Sequence, residues 1–458
     1  MIRMSLADVA GAVGASRSPE GVLTGEVRID SRQVRSGDLF VALRGEHGDG
    51  HDFAAAAVDA GAAAVLVDRP TTARDIVVPD VLEALQSLAR QVFSVDQPLT
   101  FGITGSSGKT STKDLFAQVL SAFGPTLAPV GSFNNEIGLP VTATQRTSDT
   151  AYAALEYSAR GVGHIAFLCE IVRPHVGVVL NVGSAHLGEF GSVSNIALAK
   201  GELVAAATSL VVLNADDPLV AAMSSRTSHR VSWFGTAPNA DYRAAVISVG
   251  DDGRASFVLE TPHGSAPVRL QVRGEHQVSN ALAVAAAVLG EGVTTDVAQV
   301  AELLTAAGPV SRWRMEVTER TDGVTVVNDA YNANPDSMLA ALRTLAVMGG
   351  GSRRTWAVLG PMAELGPDGD EAHREVGRCA ARLAVSRLVV IGSGAAGIHA
   401  GAVSQGLPAE AAARVDDIDG AAALLRAELE PGDVVLVKAS RSVGLERLAD
   451  AILSGADS

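Results

Sequence analysis

Short hydrophobic runs recur along the chain and are separated by alanine-rich stretches of helical periodicity. Runs of this length between glycines and polar residues predict buried β-strands, and the longer stretches predict helices. The runs that we interpret as strands are 39–43, 63–67, 99–104, 166–168, 176–180, 210–213, 324–327, 356–359, 388–391 and 434–437. The alternation of strand and helix predicts an α/β fold with mostly parallel sheets.

Three other stretches define the organisation further. Residues 110–120 and 274–289 have the pattern of helices, and 242–272 is rich in glycine, aspartate and alternating apolar residues, which predicts a β-hairpin region beside the main sheet. We therefore expect three domains: a small α/β domain at 1–98, a central domain with a mostly parallel sheet at 99–310, and a Rossmann-like α/β domain at 311–458.

Composition narrows the functional class. Of the 458 residues, 47% are hydrophobic and 19% charged, and the net charge of −15 argues against a broad nucleic-acid surface. The only cysteines, Cys169 and Cys379, are too few for a disulfide framework. The N-terminus lacks the apolar core of a signal peptide, and the alanine runs are too interrupted to cross a bilayer. We expect a cytoplasmic monomer with no nucleic-acid partner and no membrane insertion.

A glycine-rich loop stands between a predicted strand and a predicted helix. Its sequence, Thr104–Thr110, is T-G-S-S-G-K-T. Backbone N–H groups of such small residues can wrap around phosphate oxygens, the lysine can reach terminal phosphates, and the threonine hydroxyl can ligate Mg²⁺. The general Walker pattern has glycine where this chain has Ile103. We predict a phosphate loop of a variant type.

Three polar residues downstream predict a metal site. Glu156, His186 and Lys200 each lie near a predicted strand end or helix start, and ligands of open α/β sheets collect beyond the carboxyl ends of the strands. Carboxylates suit Mg²⁺, whereas imidazole is a less usual ligand. Taken singly, Glu156 could be a solvated charge, His186 a turn cap and Lys200 an exposed helix lysine.

Motifs along the whole chain resemble the Mur ligase family. They are, in order, Ile29–Arg32, Gly37–Leu43, Gly48–His51, Thr104–Thr110, Ser132–Pro140, Asn328–Met338, Val358–Gly366 and Val437–Arg441. The first three resemble a uridine-nucleotide-binding domain, the fourth the family's ATP loop, and the fifth a segment that faces the muramoyl substrate. The last three resemble the members that add D-alanyl-D-alanine. The chain departs from common family residues at Ser132, Pro361 and Ala439, where relatives have asparagine, aspartate and glycine.

The resemblance implies a role for each matching residue. The ATP site would comprise Gly105, Ser106, Ser107, Gly108, Lys109, Thr110, Ser111, His276, Asn280, Arg314 and Asp329. Thr110, Glu156, His186 and a carbamylated Lys200 would hold Mg²⁺. Catalysis would depend on Lys109, Lys200, His186 and Arg314. The substrate would contact Ser31, Arg32, Asn134, Asn135, Ser158, Arg160, Tyr331, Asn332, Asn334, Lys438 and Ser440. Arg314 and Asp329 would reach the nucleotide only after domain closure.

The implied activity is ATP-dependent ligation of D-alanyl-D-alanine to UDP-N-acetylmuramoyl-tripeptide through an acyl phosphate, which forms the pentapeptide, ADP and phosphate. The sequence does not identify the base that deprotonates the amine, and two candidates stay open: Glu202 and the neighbourhood of a metal-bound carbamate. Three alternatives remain: the preceding ligase of the pathway, a folylpolyglutamate synthase, and an ATPase switch that does not ligate. The sequence leaves open whether the third residue of the peptide is lysine or diaminopimelate.

Overall fold

The computed structural model describes residues 2–45, 48–129, 131–183 and 187–454. Over these residues the chain forms sheets of four, nine and six strands, in that order, and a separate two-stranded pair near the N-terminus. Helices pack on the sheets, so the predicted α/β fold class is confirmed. None of the helices in this part of the chain combines the length and apolar character that a bilayer crossing requires.

Nine of the ten hydrophobic runs predicted above coincide with strands, and further strands form outside those runs. The strands are short. They are β1 (Met4–Ser5), β2 (Val22–Leu23), β3 (Val27–Arg28), β4 (Leu39–Val41), β5 (Ala64–Val67), β6 (Asp75–Val77), β7 (Leu99–Thr104), β8 (Thr126–Leu127), β9 (Tyr152–Glu156), β10 (Val176–Val179), β11 (Leu210–Asn214), β12 (Arg230–Gly235), β13 (Tyr242–Val249), β14 (Arg254–Thr261), β15 (Gly264–Arg273), β16 (Glu316–Glu319), β17 (Thr325–Asn328), β18 (Thr355–Leu359), β19 (Arg387–Ile391), β20 (Ala412–Val415) and β21 (Val434–Lys438).

The helices connect these strands. They are α1 (Leu6–Ala12), α2 (Ala54–Asp59), α3 (Val81–Ser94), α4 (Lys109–Ser121), α5 (Gly138–Thr144), α6 (His164–Ile171), α7 (Leu187–Phe190), α8 (Val193–Ala206), α9 (Pro218–Ala221), α10 (His276–Glu291), α11 (Val297–Ala306), α12 (Pro335–Gly349), α13 (Gly369–Arg382), α14 (Ala396–Ser404), α15 (Ile418–Glu428) and α16 (Glu446–Ser454). Short 3₁₀ turns lie at Ser31–Gln33, Gly50–Phe53, Ala222–Arg226, Gly366–Asp368, Ser393–Ala395, Ala409–Ala411 and Arg441–Val443.

The central sheet places the phosphate loop beside the first metal candidate. Its order is β15-β14-β13-β12-β11-β10-β7-β9-β8, with β7 parallel to both of its neighbours. Ile103 pairs with Glu156, and Thr104 pairs with Val179. The phosphate loop, Glu156 and the segment that follows β10 therefore meet at one carboxyl edge. The predicted hairpin region forms the antiparallel strands β13 to β15, which extend this sheet.

The C-terminal sheet presents its own carboxyl edge. Its order is β16-β17-β21-β18-β19-β20, parallel except for β16. Asn328 pairs with Val437, and Leu359 pairs with Lys438. Asp329 and Lys438 consequently lie at neighbouring strand ends, and a parallel topology of this kind gathers polar side chains there.

One predicted strand is wrong. Residues 166–168 belong to α6, which begins after the left-handed Gly163 (φ 94°). In this helix Ile165, Leu168 and Cys169 are buried, whereas Ala166 and Phe167 are exposed. That spacing of i, i+3 and i+4 is the period of a one-sided helix, and a run of three apolar residues is too short to separate it from a strand.

Candidate active site

A cavity of about 560 Å³ lies between the carboxyl edges of the central and C-terminal sheets. The central sheet contributes the phosphate loop and the segments around Asn134 and Glu156. The C-terminal part contributes Arg314, Asp329 and Lys438. Because both edges carry polar groups with few apolar neighbours, the cavity suits a charged ligand that spans the two sheets.

The phosphate loop depends on glycine at one position in particular. Gly108 has a left-handed backbone (φ 83°) and is the N-cap of α4. A Cβ atom there would stand 2.6 Å from Oδ1 of Asn280 on α10. The first N–H groups of α4 have no partner within the helix. The residues that carry them, Lys109, Thr110 and Ser111, line the cavity, where the helix dipole favours an anion.

Asn181, shortly after β10, holds the phosphate loop through side-chain hydrogen bonds. Its Oδ1 accepts hydrogen bonds from the backbone N–H groups of Ser106 (2.9 Å) and Ser107 (3.0 Å). Its Nδ2 donates to the carbonyl of Ser107 at 3.2 Å. The Lys109 Nζ donates to the carbonyl of Gly105 at 2.6 Å. The carboxamide and the ammonium group together fix the curvature of the loop.

Glu156 carries the clearest sign of a cation site. Its side chain is fully buried, and Oε2 accepts a hydrogen bond from Nδ2 of Asn134 at 3.1 Å. Its Oε1 has no hydrogen-bond partner within the described ranges. A buried carboxylate oxygen without a partner is costly unless a cation satisfies it. The Thr110 hydroxyl, also buried, lines the same cavity.

Two buried lysines, Lys109 and Lys200, have lowered pKa values. Burial lowers the pKa of Lys109 to about 8, the Glu156 charge raises it, and Arg314 lowers it. Burial lowers the pKa of Lys200 well below its ordinary value, and the positive charge of Lys109 lowers it further. Lys200 is only 7% exposed, and this burial disfavours the charged form of its amine.

Groups from the C-terminal sheet complete the cavity. The Arg314 guanidinium lies 4.1 Å from the centre of the Tyr331 ring. Lys438 Nζ donates to Asp329 Oδ2 at 2.6 Å and to the carbonyl of Asn332 at 2.8 Å. Asp329 Oδ1 accepts the backbone N–H of Met315 at 3.0 Å. These bonds hold the C-terminal face of the cavity in one arrangement.

Comparison with known proteins bears on this arrangement. Family models match residues 25–93 (Mur ligase family, catalytic domain), 103–288 (Mur ligase middle domain) and 313–441 (Mur ligase, glutamate ligase domain). A UDP-N-acetylmuramoyl-tripeptide–D-alanyl-D-alanine ligase of Mycobacterium tuberculosis is 49% identical over 99% of this chain and 98% of its own.

The chain belongs to the Mur ligase family.

Other Mur ligases are similar over their full length. The Escherichia coli UDP-N-acetylmuramoyl-tripeptide–D-alanyl-D-alanine ligase is 34% identical, with 99% of each chain covered. A MurF crystal structure from Acinetobacter baumannii superposes with a TM-score of 0.87 at 30% identity, covering 99% of both chains. A Thermotoga maritima MurF in complex with ADP superposes with a TM-score of 0.81 at 30% identity, covering 95% of this chain and 98% of its own.

Most of the predicted site residues of this Mur ligase line the single cavity described above. They are Ser106, Ser107, Gly108, Lys109, Thr110, Ser111, Asn134, Asn135, Glu156, Ser158, Arg160, His276, Asn280, Arg314, Asp329, Tyr331, Asn332, Asn334 and Lys438. These residues are spread along the chain from 106 to 438, and the two facing sheet edges bring them together.

Several predicted residues lie elsewhere. Lys200 is buried close enough to Lys109 for the two charges to interact. The Ser440 hydroxyl is buried and accepts the backbone N–H of Ala363 at 2.8 Å. Ser31 and Arg32 belong to the N-terminal sheet region, where Arg32 pairs with Asp30 at 2.7 Å. The substrate roles of these residues stay predictions, and His186 lies outside the described residues.

The candidate base has a different contact. Both carboxylate oxygens of Glu202 accept backbone N–H groups at the start of α6, from Gly163 (2.5 Å) and Ala166 (2.9 Å). A carboxylate at this position stabilises the N-terminal end of a helix. The geometry therefore favours a structural role for Glu202 over proton transfer.

Sequence reasoning did not single out two residues at the cavity, Asn181 and Asp336. The signal for Asn181 is its position directly after a buried parallel strand, where side chains reach the ligand edge. Asp336 packs so closely on Gly183 that a Cβ there would meet its carboxylate. That contact joins distant parts of the chain, and no local pattern could have predicted it.

We expect Gly108→Ala to weaken ADP binding about tenfold, because an L-residue in the left-handed region costs about 1–2 kcal/mol and the new methyl group would press on Asn280. Isothermal titration calorimetry measures the affinity. Gly292→Ala is the matched control, since Gly292 has φ 82° and a Cβ atom added there would have no neighbour within 4 Å. Equal ADP affinity of the two variants would contradict the loop geometry.

Nucleotide binding should also take up protons near pH 8. A free Lys109 with a pKa of about 8 is about half protonated at that pH. Nearby phosphates stabilise the charged form and raise the pKa, so binding draws up to about half a proton from the buffer. Calorimetry at pH 8 in buffers of different ionisation enthalpy measures this uptake, which should vanish at pH 6. An apparent binding enthalpy that is independent of the buffer at pH 8 would contradict the assignment.

Proposed function

We propose that this chain is an ATP-dependent ligase that joins D-alanyl-D-alanine to UDP-N-acetylmuramoyl-tripeptide in peptidoglycan synthesis. The observation that carries the proposal is the cavity in which the phosphate loop, the unpartnered Glu156 oxygen and Arg314 face one another. The relatives that are similar over the whole chain carry the name of this ligase.

The phosphates of ATP need positive groups around them, whereas the amine that attacks must be neutral. Lys109 and the N–H groups at the start of α4 would neutralise the phosphates of ATP, and Arg314 would neutralise charge that develops on the transferred group. The terminal carboxylate of the tripeptide takes the γ-phosphoryl group and becomes an acyl phosphate. The neutral amine of D-alanyl-D-alanine then attacks its carbonyl carbon, which forms the amide and releases phosphate.

The residues at the cavity fit Mg²⁺. Glu156 and Thr110 offer a carboxylate oxygen without a partner and a hydroxyl oxygen, both of which are ligand types that Mg²⁺ prefers. When bound, the ion would neutralise phosphate charge. Among the described residues no three His, Cys, Asp or Glu side chains form a metal group, and the set that we propose extends beyond those residue types. It comprises Thr110, Glu156, His186 and Lys200 as a carbamate.

Lys200 fits a carbamate because its environment disfavours the charged ammonium form. A neutral amine has the lone pair that attacks CO₂, and it loses one proton as the carbamate forms. The product is an anion, so it relieves the repulsion between Lys200 and Lys109 and supplies a carboxylate-like metal ligand. We infer that the modified lysine assists in holding Mg²⁺.

The remaining assignments follow the organisation of the chain. We propose domains at 1–98 for the uridine nucleotide, 99–310 for ATP and 311–458 for closure over the reacting groups. The substrate residues in the cavity, such as Asn134 and Tyr331, would contact the peptide, and Ser31 and Arg32 the nucleotide end. Both cysteines are free thiols, which agrees with the reducing cytoplasm that we propose as its location, and we propose a monomer.

The proposal is tested by phosphate release from ATP with purified protein, UDP-N-acetylmuramoyl-tripeptide and D-alanyl-D-alanine, each omitted in turn. We expect release only when both substrates are present. Release that ignores both would identify an ATPase switch. Release when a single amino acid replaces the dipeptide would identify the preceding ligase of the pathway. Parallel assays with lysine- and diaminopimelate-containing tripeptides determine which peptide is the better substrate.

A further inference from the structure

Ser132 joins the two halves of the cavity through one hydroxyl group. Its Oγ lies 2.8 Å from Oγ1 of Thr110, the last residue of the phosphate loop. The same Oγ accepts a hydrogen bond from Nη2 of Arg314 at 3.1 Å. Arg314 is 182 residues away along the chain. Ser132 is thus the link between the phosphate loop and the arginine that follows the central domain.

The arginine end of this link is held firmly. The residues on either side of Arg314, Trp313 and Met315, have left-handed backbones (φ 60° and 50°). Their N–H groups are bonded to Oε2 of Glu316 (2.8 Å) and Oδ1 of Asp329 (3.0 Å). Non-glycine residues keep such a conformation only where surrounding contacts impose it. The direction of the Arg314 side chain is therefore built into the fold.

Hydrogen-bond capacity limits how the remaining protons are arranged, and either hydroxyl of the Ser132–Thr110 pair can donate to the other. Arginine only donates, so one lone pair of Ser132 Oγ is occupied by Arg314. If Thr110 donates its hydroxyl proton to the other lone pair, both lone pairs of Thr110 Oγ1 remain directed elsewhere, and one can meet a cation. The Ser132 proton is then left for an anionic oxygen in the cavity that Ser132 lines. In the opposite direction the Ser132 proton occupies one lone pair of Thr110 Oγ1, and the other lone pair remains for a cation. In both directions the bridge sets the orientation of the Thr110 hydroxyl.

We propose that Ser132 is a positioning residue that orients the Thr110 hydroxyl as a Mg²⁺ ligand and couples this orientation to the docking of Arg314. The inference rests on the proposed function for its catalytic consequence. Its consequence for binding, a tighter joint binding of Mg²⁺ and ADP, depends only on the hydrogen bonds of Ser132 to Thr110 and Arg314. Thr110 and Arg314 would act on the nucleotide, and Ser132 would act through them.

The direct test measures ADP affinity by calorimetry with and without Mg²⁺. For Ser132→Ala we expect the tightening of ADP binding by Mg²⁺ to fall about 10-fold, because a charge-assisted hydrogen bond and its neutral neighbour are lost together. Ser132→Thr retains the hydroxyl and should keep the tightening. Ser386→Ala is the control: its hydroxyl also bonds a threonine, Thr355, but at the opposite edge of the C-terminal sheet.

Steady-state kinetics provide a second measurement, and a serine with only a structural role would not affect it. With Ser132→Ala we expect kcat to fall about 10-fold and the KM for the tripeptide to change less than twofold, with an unchanged melting temperature. Equal ADP affinities of Ser132→Ala and wild type at every Mg²⁺ concentration would overturn the inference. So would an equal loss of ADP affinity in the presence and absence of the ion. Failure of the wild-type protein to ligate would overturn the proposed function. The ADP affinities with and without Mg²⁺ would then still decide the role of Ser132.

Discussion

Lys109→Met should lower the rate of ligation about 100- to 1,000-fold. The substitution keeps most of the length of the side chain and removes the charge that would face the β- and γ-phosphates, and loss of one preorganised electrostatic contact has an effect of this size. It also removes the hydrogen bond to the carbonyl of Gly105, so ADP binding should weaken as well. Coupled measurement of phosphate release and pentapeptide by mass spectrometry gives the rate.

The fold of the Lys109→Met variant should be intact, as judged by circular dichroism and thermal melting. Arg382→Met is a suitable control, because it removes a cation from the exposed face of α13, where Arg382 pairs with Glu375 of the same helix. Near-normal ligation by a folded Lys109→Met protein would refute the assignment of the phosphate loop.

Lys200→Ala should abolish most of the activity, with a loss of about 100-fold or more, because it would remove the metal ligand that we propose and leave Mg²⁺ with an incomplete anionic shell. The direction of the pKa shift supports carbamylation: burial lowers the pKa of the Lys200 amine, so a larger share of this amine is in the reactive neutral form than in an exposed lysine. Activity should accordingly rise when bicarbonate is added to CO₂-depleted enzyme.

Carbamylation itself can be observed by ¹³C nuclear magnetic resonance after addition of labelled bicarbonate. We expect a carbamate signal in wild type that disappears in Lys200→Ala. Lys113 provides the matched control, since it is the other lysine of the central domain that is almost fully buried, but its Nζ is engaged in an ion pair with Asp114 at 2.5 Å. Lys113→Arg should therefore keep the signal. A fully active enzyme with an unmodified Lys200 amine would eliminate the carbamate role.

The sequence predicted the elements of this protein best where local chemistry is strong. The run at 99–104 became β7 without a change of boundary, and the helix expected at 110–120 differs from α4 by one residue at each end. The apolar pattern, the glycine turn and the helix start agree there. The strand prediction for 166–168 was wrong because three apolar residues fit both the strand period and the helix period. The buried residues that reveal the helix, Ile165 and Cys169, lie outside the run.

The candidate site was predictable as a set of residues but not as a geometry. Spacing and strand ends indicated Lys109 and Glu156, and the resemblance indicated Arg314. The unpartnered oxygen of Glu156 and the bridge through Ser132 depend on how two sheets face each other. Such contacts join residues that are far apart in the chain, and a single sequence has no local pattern that encodes them.

The most direct test of the account uses UDP-N-acetylmuramoyl-tripeptide with both oxygens of its terminal carboxylate replaced by ¹⁸O. If that carboxylate is activated as an acyl phosphate and captured by D-alanyl-D-alanine, mass spectrometry will find one ¹⁸O in the released phosphate and one in the new amide of the pentapeptide. Label in AMP would indicate an adenylate instead. Phosphate without ¹⁸O, or no pentapeptide, would contradict the account.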